Sequence, residues 1–298
     1  MDPVRKNTLI TSLLTCLGYA YFNIGDAAMK MVGIKFHFSQ VIASNCVIII
    51  AFMVVYGFMT GGKKSFYVRN KKWVMARAVL GTIVSIINVF SLPRITLATF
   101  YTLVFTAPFW VAVLSALFLG EKLNARRIGV IIAGFAVVLS IFSPGSEALN
   151  IYAFLVLIGA FFYAASIVIM RHVGPKESRP AMISVGSLLG LLLCLPFLAE
   201  HFIMPTPFEW GVFLIMGVLS AIGLLCIAYA FQNAPSAAAV APYHYTQIVW
   251  GALLGYYIFG ETPSAQIMIA AALIIAGGLY LVYSETRQRA VMGGLRGA

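Results

Sequence analysis

Ten long apolar stretches divide this chain almost from end to end. They cover residues 8–29, 40–59, 73–92, 95–119, 126–143, 151–171, 181–200, 209–231, 236–259 and 264–284, with boundaries uncertain by a few residues. About 20 helical residues are needed to cross roughly 30 Å of hydrocarbon, and each stretch approaches that length. Because a backbone in lipid must satisfy its own hydrogen bonds, the stretches predict an all-α membrane protein with ten transmembrane helices.

The sequence between these stretches is too short to form a soluble domain. Hydrophobic residues make up 61% of the chain and charged residues only 10%, which is outside the range of soluble globular domains. The connections contain no glycine-rich phosphate-binding loop, so we predict no ATP-hydrolysing module. Uphill movement of a solute would therefore depend on a gradient.

The basic residues are distributed very unevenly among the connections. If the N-terminus is cytoplasmic, 17 of the 20 lysines and arginines fall in cytoplasmic segments, Arg77 among them, and the other three are Lys30, Lys35 and Arg94. This positive-inside bias predicts an inner (plasma) membrane protein with both termini in the cytoplasm. The net charge of +11 is then a topology signal, and we predict no nucleic-acid partner.

Two segments 140 residues apart share a pattern. Residues 90–121 and 230–261 each begin with a helix break, contain a proline-interrupted apolar run and end at Gly-Glu. Each segment ends the fourth of five predicted spans in its half of the chain. Because five is an odd number of membrane crossings, the second half would enter the membrane in the opposite orientation to the first. We therefore predict two inverted five-helix repeats, 1–145 and 146–286, followed by a disordered cytoplasmic tail, 287–298. Glu121 should then face the cytoplasm and Glu261 the outside.

Two charged residues, Asp26 and Lys30, are expected to lie within a predicted span, four residues apart on one helical face. One interpretation is a carboxylate that binds a cationic substrate group or a coupling proton and is tuned by Lys30. The other is an ion pair at the outer interface, since long side chains near helix ends reach toward the surface. The sequence leaves both open.

The fourth and ninth spans carry unusual polar and aromatic residues. Pro108 should interrupt the fourth helix and free a carbonyl near Val104, either as a simple kink or beside a cavity. In the ninth span, Tyr243, Gln247 and Trp250 recur at helical spacing, and we expect them to face inward. They would suit a flat or cationic solute, although aromatic residues also form belts at membrane interfaces.

His244 has two interpretations, a carrier of a coupled proton or a structural hydrogen-bond donor. The deep amide and phenol groups need partners, either on a neighbouring helix or on a substrate. The candidate substrate contacts are Asn23, Asp26, Asn88, Tyr101, Trp110, Tyr163, Tyr243, His244, Gln247 and Trp250. Too few acids and histidines lie within the spans to predict an enzyme, and we predict no metal or cofactor.

The residues around the two Gly-Glu pairs resemble the EamA type of the drug/metabolite transporter superfamily. The similar segments are 92–98, 105–109, 119–127, 134–135, 143–145, 241–250, 254–255 and 259–263, and residues 25–30 resemble the branch with proposed S-adenosylmethionine and riboflavin carriers. The resemblance implies two inverted repeats around a cavity walled mainly by helices one, three, four, six, eight and nine, and alternating access. It also implies that Glu121 and Glu261 are structural helix-end acids.

From these observations we predict a secondary transporter of a small organic metabolite, an amino acid or a related nitrogenous compound. Uptake of a cofactor-like solute such as S-adenosylmethionine or riboflavin is the main alternative, and a channel or receptor is another. The predicted partners are the substrate, the bilayer and a coupling proton. The Gly-x-x-x-Gly motifs do not establish a dimer, and a monomer is compatible with them.

Overall fold

The computed structural model describes residues 3–120, 125–141, 150–233, 243–244, 246–273, 275–277 and 280, and within them the chain is helical with no strand. Helices α1 to α5 are Pro3–Gly33, Phe38–Gly61, Lys71–Ser91, Leu97–Val104 and Ala107–Leu119. Helices α6 to α11 are Ala125–Ile141, Ile151–Val173, Arg179–His201, Pro207–Asn233, Thr246–Phe259 and residues 265–273. Helix thus occurs in each of the ten predicted spans, and α4 and α5 together fill the fourth.

The helices have the length and surface of membrane spans. Six helical segments in the described part of the chain are long and apolar enough to cross a bilayer, and shorter apolar helices accompany them. Large apolar side chains such as Val55, Leu192 and Tyr257 are exposed on the outside of the bundle, where a soluble protein would place polar groups. The predicted all-α, multi-span membrane fold is confirmed.

The fourth span is broken near its middle. Pro108 lies in the first turn of α5, where its missing N–H removes no helical hydrogen bond. In the break, the hydroxyl of Thr106 donates to the carbonyl of Leu103 at 2.9 Å. The interruption predicted at Pro108 is confirmed, and Val104, the last residue of α4, lines the cavity described below.

The packing pairs repeat when the halves are exchanged. Helix α1 packs on α9, and its counterpart α7 packs on α3. Helix α1 also packs on α10, as α7 packs on α4 and α5, and α2 packs on its own counterpart α8. This is the pattern expected for two related five-helix repeats that interlock. The repeat boundary near residue 145, Glu121 and the tail 287–298 lie outside the described residues and stay predictions.

The bundle has two ends, which differ in charge. We call one the Glu261 end, because Lys30, Ile95, Leu97 and Glu261 meet there. The other is the Glu177 end, formed by the loops before α3 and α8 and by the C-terminus of α9. The Glu177 end also holds the basic residues Lys63, Lys64, Arg69, Lys71, Lys72 and Lys176. The positive-inside rule therefore predicts that the Glu177 end is cytoplasmic.

Candidate functional site

A cavity of about 230 Å³ lies between the two halves. Helices α1 to α4 supply one part of its wall, and α7, α8, α9 and the start of α10 supply the other. The second and seventh spans, α2 and α8, thus contribute in addition to the six expected from the family resemblance. The wall is mostly apolar with a few polar groups, which is typical of small-molecule sites.

Asp26 lines this cavity from α1. The hydroxyl of Tyr101 on α4 donates a hydrogen bond to Asp26 Oδ2 at 2.9 Å, and Tyr101 is almost fully buried. The Tyr101 ring is pressed against α10 at Gly251, where a Cβ would lie 2.2 Å from Cδ2 of the ring. Only glycine permits this approach, so Gly251 fixes the position of the phenol that holds Asp26. Of the two interpretations of Asp26, the structure supports the cavity and not the outer interface.

Lys30 does not pair with Asp26, contrary to the interpretation of the two as an ion pair at the outer interface. Its ammonium pairs with Glu261 Oε1 and donates to the Ile95 carbonyl at 2.6 Å. Glu261 Oε2 accepts from the Leu97 N–H, at the N-terminus of α4, at 2.7 Å. The partners are distant in sequence, so the four-residue spacing within α1 could not identify them. Glu261 joins α1, α4 and the turn after α10.

A stack of rings forms another part of the wall. His244 and Tyr19 lie parallel, with centroids 4.3 Å apart and an interplanar angle of 2°. Tyr163 approaches His244 at 5.6 Å, and its hydroxyl donates to the Tyr19 hydroxyl at 3.3 Å. His244 belongs to a short 3-10 turn ahead of α10 and is buried. Its two interpretations, proton carrier and structural donor, both stay predictions.

Arg77 lines the cavity and was not among the residues predicted to do so. It was counted with the cytoplasmic connections, but it lies in the second turn of α3, is 7% exposed and lines the cavity. We counted it with a cytoplasmic loop because several basic residues lie just before it in the sequence. The signal that could have identified it is its position, seven residues into an apolar helix.

Two amide side chains in the wall have free acceptor atoms. Gln247 Oε1 and Asn45 Oδ1 are buried, and neither has a hydrogen-bond partner among the described residues. A buried polar group without a partner costs about 1–3 kcal/mol, so such atoms are expected to bind water or a ligand. With Asp26 they offer acceptors for a cationic N–H group, and the rings of Tyr19, Tyr163 and Phe100 offer apolar surface.

The cavity brings together six of the ten predicted contacts, namely Asp26, Asn88, Tyr101, Tyr163, His244 and Gln247. The other four lie away from it. Asn23 is fully buried and donates to the Tyr19 carbonyl at 2.8 Å. Trp110 packs edge-on against Phe135 and Phe161. Tyr243 precedes α10 and is half-buried outside the cavity.

Trp250 is exposed on the outside of the bundle. The sequence had predicted that it would face inward together with Tyr243 and Gln247. The expectation assumed one continuous helix, but residues 243–244 form a 3-10 turn and α10 begins only at Thr246. Within α10 the buried residues Gln247, Gly251 and Gly255 recur every four positions. That row faces the bundle, and Trp250 falls on its outer flank.

Comparison with known proteins agrees with this architecture. Residues 150–283, the second half of the chain, match the EamA-like transporter family. The matched half of the chain is an EamA-family domain. The resemblance to the drug/metabolite transporter superfamily read from the sequence is confirmed.

Two relatives and one solved structure illustrate what the whole chain is similar to. It is 28% identical to an S-adenosylmethionine uptake transporter of Rickettsia bellii, over 66% of this chain and 67% of the relative. It is 26% identical to the pseudopaline exporter CntI of Pseudomonas aeruginosa, over 91% and 92%. A crystal structure with 15% identity superposes with a TM-score of 0.68 over 93% of this chain and 99% of the other, which shows the shared fold.

Proposed function

We propose that this protein is a secondary transporter that carries a small nitrogenous metabolite, such as an amino acid, through the central cavity by alternating access. The observation that carries the proposal is the Asp26–Tyr101 pair, which sets a carboxylate in the wall of a cavity between the two halves. A carboxylate inside a membrane protein is costly unless a cation or a proton compensates it. A cationic nitrogen of the substrate would supply that compensation.

The surroundings of Asp26 support a nitrogenous organic solute over an inorganic cation. The free amide oxygens of Gln247 and Asn45 would accept further N–H groups. Rings of Tyr19, Phe100 and Tyr163 give the same cavity an apolar and π-electron surface, which attracts organic cations. A volume of about 230 Å³ lies just below the roughly 300–1,000 Å³ of sites for drug-sized ligands, and therefore suits a small metabolite.

Asp26 also gives the transporter a means of coupling. When the cavity is empty, a proton on Asp26 would remove the charge that a substrate cation otherwise balances. Substrate and proton would then compete for one carboxylate, and movement of one would be exchanged for the other. The proposed setting is the inner membrane with both termini cytoplasmic, as the charge bias of the connections predicts.

Uptake of S-adenosylmethionine is the second candidate, and the similarity to the Rickettsia transporter favours it. Its sulfonium cation and adenine ring would suit Asp26 and the tyrosine rings. It is larger than a common amino acid, so it would need a wider cavity than the present one. The pseudopaline exporter among the relatives is named for the opposite direction of transport.

The experiment begins with a thermal-shift screen of the purified protein against amino acids, amines and S-adenosylmethionine, since a ligand of the folded state raises its apparent stability. The compound with the largest shift is then tested for counterflow in proteoliposomes. We expect saturable counterflow that Asp26→Asn and Tyr101→Phe reduce by about tenfold or more, as expected for loss of a charged hydrogen bond.

Trp250→Ala is the matched control, because it removes an aromatic side chain from the outer surface of the same bundle. It should leave counterflow within about twofold of the wild type, as surface substitutions usually do. Flux that does not saturate would indicate a channel and contradict the proposal. Normal counterflow by Asp26→Asn would place the substrate site elsewhere.

A further inference from the structure

Arg77 lines the cavity, and its buried guanidinium has hydrogen-bond donors that are not used. Its Nε has no hydrogen-bond partner, and Nη1 makes one long contact, 3.5 Å, to the Met182 carbonyl on α8. A guanidinium carries five N–H donors in a planar fork. Most of the hydrogen-bonding capacity of Arg77 is therefore unused among the described residues.

No acidic side chain neutralises Arg77 within the described part of the chain. The two recorded ion pairs are Lys30 with Glu261 and Lys35 with Glu209. Asp26 lines the same cavity, but its hydrogen bond comes from Tyr101. A positive charge inside a membrane protein is costly unless an anion or a water-filled cavity stabilises it. The described cavity wall thus contains the Asp26 carboxylate and the Arg77 guanidinium, which do not pair with each other.

The two charges approach the cavity from opposite directions along the bundle, and the Tyr163 phenol in the same wall interacts electrostatically with both Arg77 and Asp26. Asp26 is in the last third of α1, four residues before Lys30 at the Glu261 end. Arg77 is seven residues into α3, whose first turn follows the Glu177 end. One charged group of a ligand could therefore reach Asp26 while another reaches Arg77.

We infer that Arg77 binds the carboxylate of the transported compound, so that the site selects zwitterions with an ammonium group at Asp26 and a carboxylate at Arg77. The guanidinium fork matches a carboxylate in a bidentate way, which a lysine ammonium does not. The inference rests on the proposed function, because it assigns the second half of the same substrate site. It narrows the substrate class from nitrogenous compounds to amino acids and similar zwitterions.

The test uses thermal shifts with chemically matched probes. The panel contains the common amino acids, their methyl esters, which lack the negative charge, and their decarboxylated amines. Inorganic chloride and phosphate are included to separate a carboxylate substrate from a simple anion. We expect stabilisation by one or more parent amino acids and little by the corresponding esters, amines or inorganic anions.

Two variants test the assignment of this preference to Arg77. In Arg77→Gln the preference for the parent compound should disappear, with a loss of affinity of about 10- to 100-fold, as expected for a charged hydrogen bond. Arg77→Lys keeps the charge without the fork, and should retain the preference at reduced affinity. It also serves as the test if Arg77→Gln does not fold.

Three outcomes would overturn the inference. These are equal shifts from esters or amines, an unchanged preference in both variants, and stabilisation by inorganic anions alone. If Asp26-dependent counterflow of plain amines were found, this inference would fail while the proposed transport function stood. If zwitterions bound through Arg77 but showed no counterflow, the proposed function would fail and the assignment of Arg77 would stand.

Discussion

The Glu261 end and the Glu177 end of the bundle each depend on one glutamate, Glu261 being mostly buried and Glu177 fully buried, but the two carboxylates are neutralised differently. Glu261 has a cationic partner, Lys30, and accepts one N–H at the start of α4. Glu177 accepts the N–H groups of Arg69 and Asn70, both at 2.9 Å, at the start of α3. Each therefore ties the N-terminus of a first-half helix to a connection in the second half.

The Glu177 end is closed mainly by groups that carry no opposite charge. The Gln232 amide donates to the Glu177 carbonyl at 3.4 Å and accepts from Arg179 Nε at 2.9 Å. The Ser178 hydroxyl donates to the Ser65 carbonyl. Hydrogen bonds to backbone N–H groups and the positive N-terminus of a helix stabilise a carboxylate. The one ionised group among these partners, the Arg179 guanidinium, donates to Gln232 and not to the Glu177 carboxylate.

The comparison indicates that the Glu261 end is the more easily switched. A single ionic event, loss of the Glu261 charge, would leave Lys30 uncompensated, whereas the same change at Glu177 removes only one acceptor. We therefore expect the Glu261 end to open first when a glutamate is neutralised. If alternating access operates, opening at that end would expose the cavity from the side that the charge bias predicts to be external.

The largest effect is expected for Glu261→Gln. The substitution leaves the Lys30 ammonium buried without its counter-ion, and breaking a buried pair in this way costs about 3–5 kcal/mol. The free energy of unfolding, measured in detergent micelles, should fall by that amount. The side chains of Lys30 and Glu261 are only 8% and 11% exposed, so screening by solvent should be slight.

The double variant Lys30→Met, Glu261→Gln is the control for this effect. It removes both charges but keeps an amide oxygen that can accept from the Leu97 N–H. Most of the lost stability should return, because an apolar replacement of a buried ion pair is often neutral. If the double variant were as unstable as Glu261→Gln, the ion pair would not be the cause, and the contrast between the two ends would be lost.

A smaller loss is expected for Glu177→Gln. The amide still offers one oxygen to the backbone N–H groups of Arg69 and Asn70, so one of these two donors loses its partner. The cost should be about 1–2 kcal/mol, measured by the same unfolding assay. A loss equal to that of Glu261→Gln would show that the presence of a cationic partner does not distinguish the two ends.

The smallest effect should come from the exposed ion pair between Lys35 and Glu209, 2.6 Å apart. Lys35 is about half exposed, and solvent-exposed pairs contribute little because water and salt screen them. Lys35→Ala should leave the unfolding free energy nearly unchanged. A loss comparable to that of Glu177→Gln would mean that burial does not determine how much each of these contacts contributes to the free energy of unfolding.

The spans, the break at Pro108 and the structural role of Glu261 were predictable from the sequence. Span length follows from bilayer thickness, and proline has a local effect on a helix, so both are encoded in short stretches. The partner of Glu261 was not predictable, because Lys30 lies in the first span and approaches it only when the two halves interlock.

The cavity was predicted less completely than the fold. Asp26, Tyr101, His244 and Gln247 stood out because polar groups are rare in such spans. Arg77 was missed because the lysines just before it made this position look like part of a polar loop between spans. Trp250 was placed inward because it follows Gln247 by three residues, but the buried row of α10 continues from Gln247 to Gly251 and Gly255. A residue three positions on lies to one side of such a row, and the sequence does not show which side faces the bundle.

The proposed transport function requires that the substrate binds in the cavity beside Asp26 and Tyr101. The most direct test compares proteoliposome counterflow of the best thermal-shift ligand in Tyr101→Ala and Trp250→Ala, two aromatic truncations on neighbouring helices. We expect Tyr101→Ala to abolish saturable counterflow and Trp250→Ala to retain it. Loss of counterflow with Trp250→Ala and retention with Tyr101→Ala would show that the substrate does not bind beside Asp26 and Tyr101.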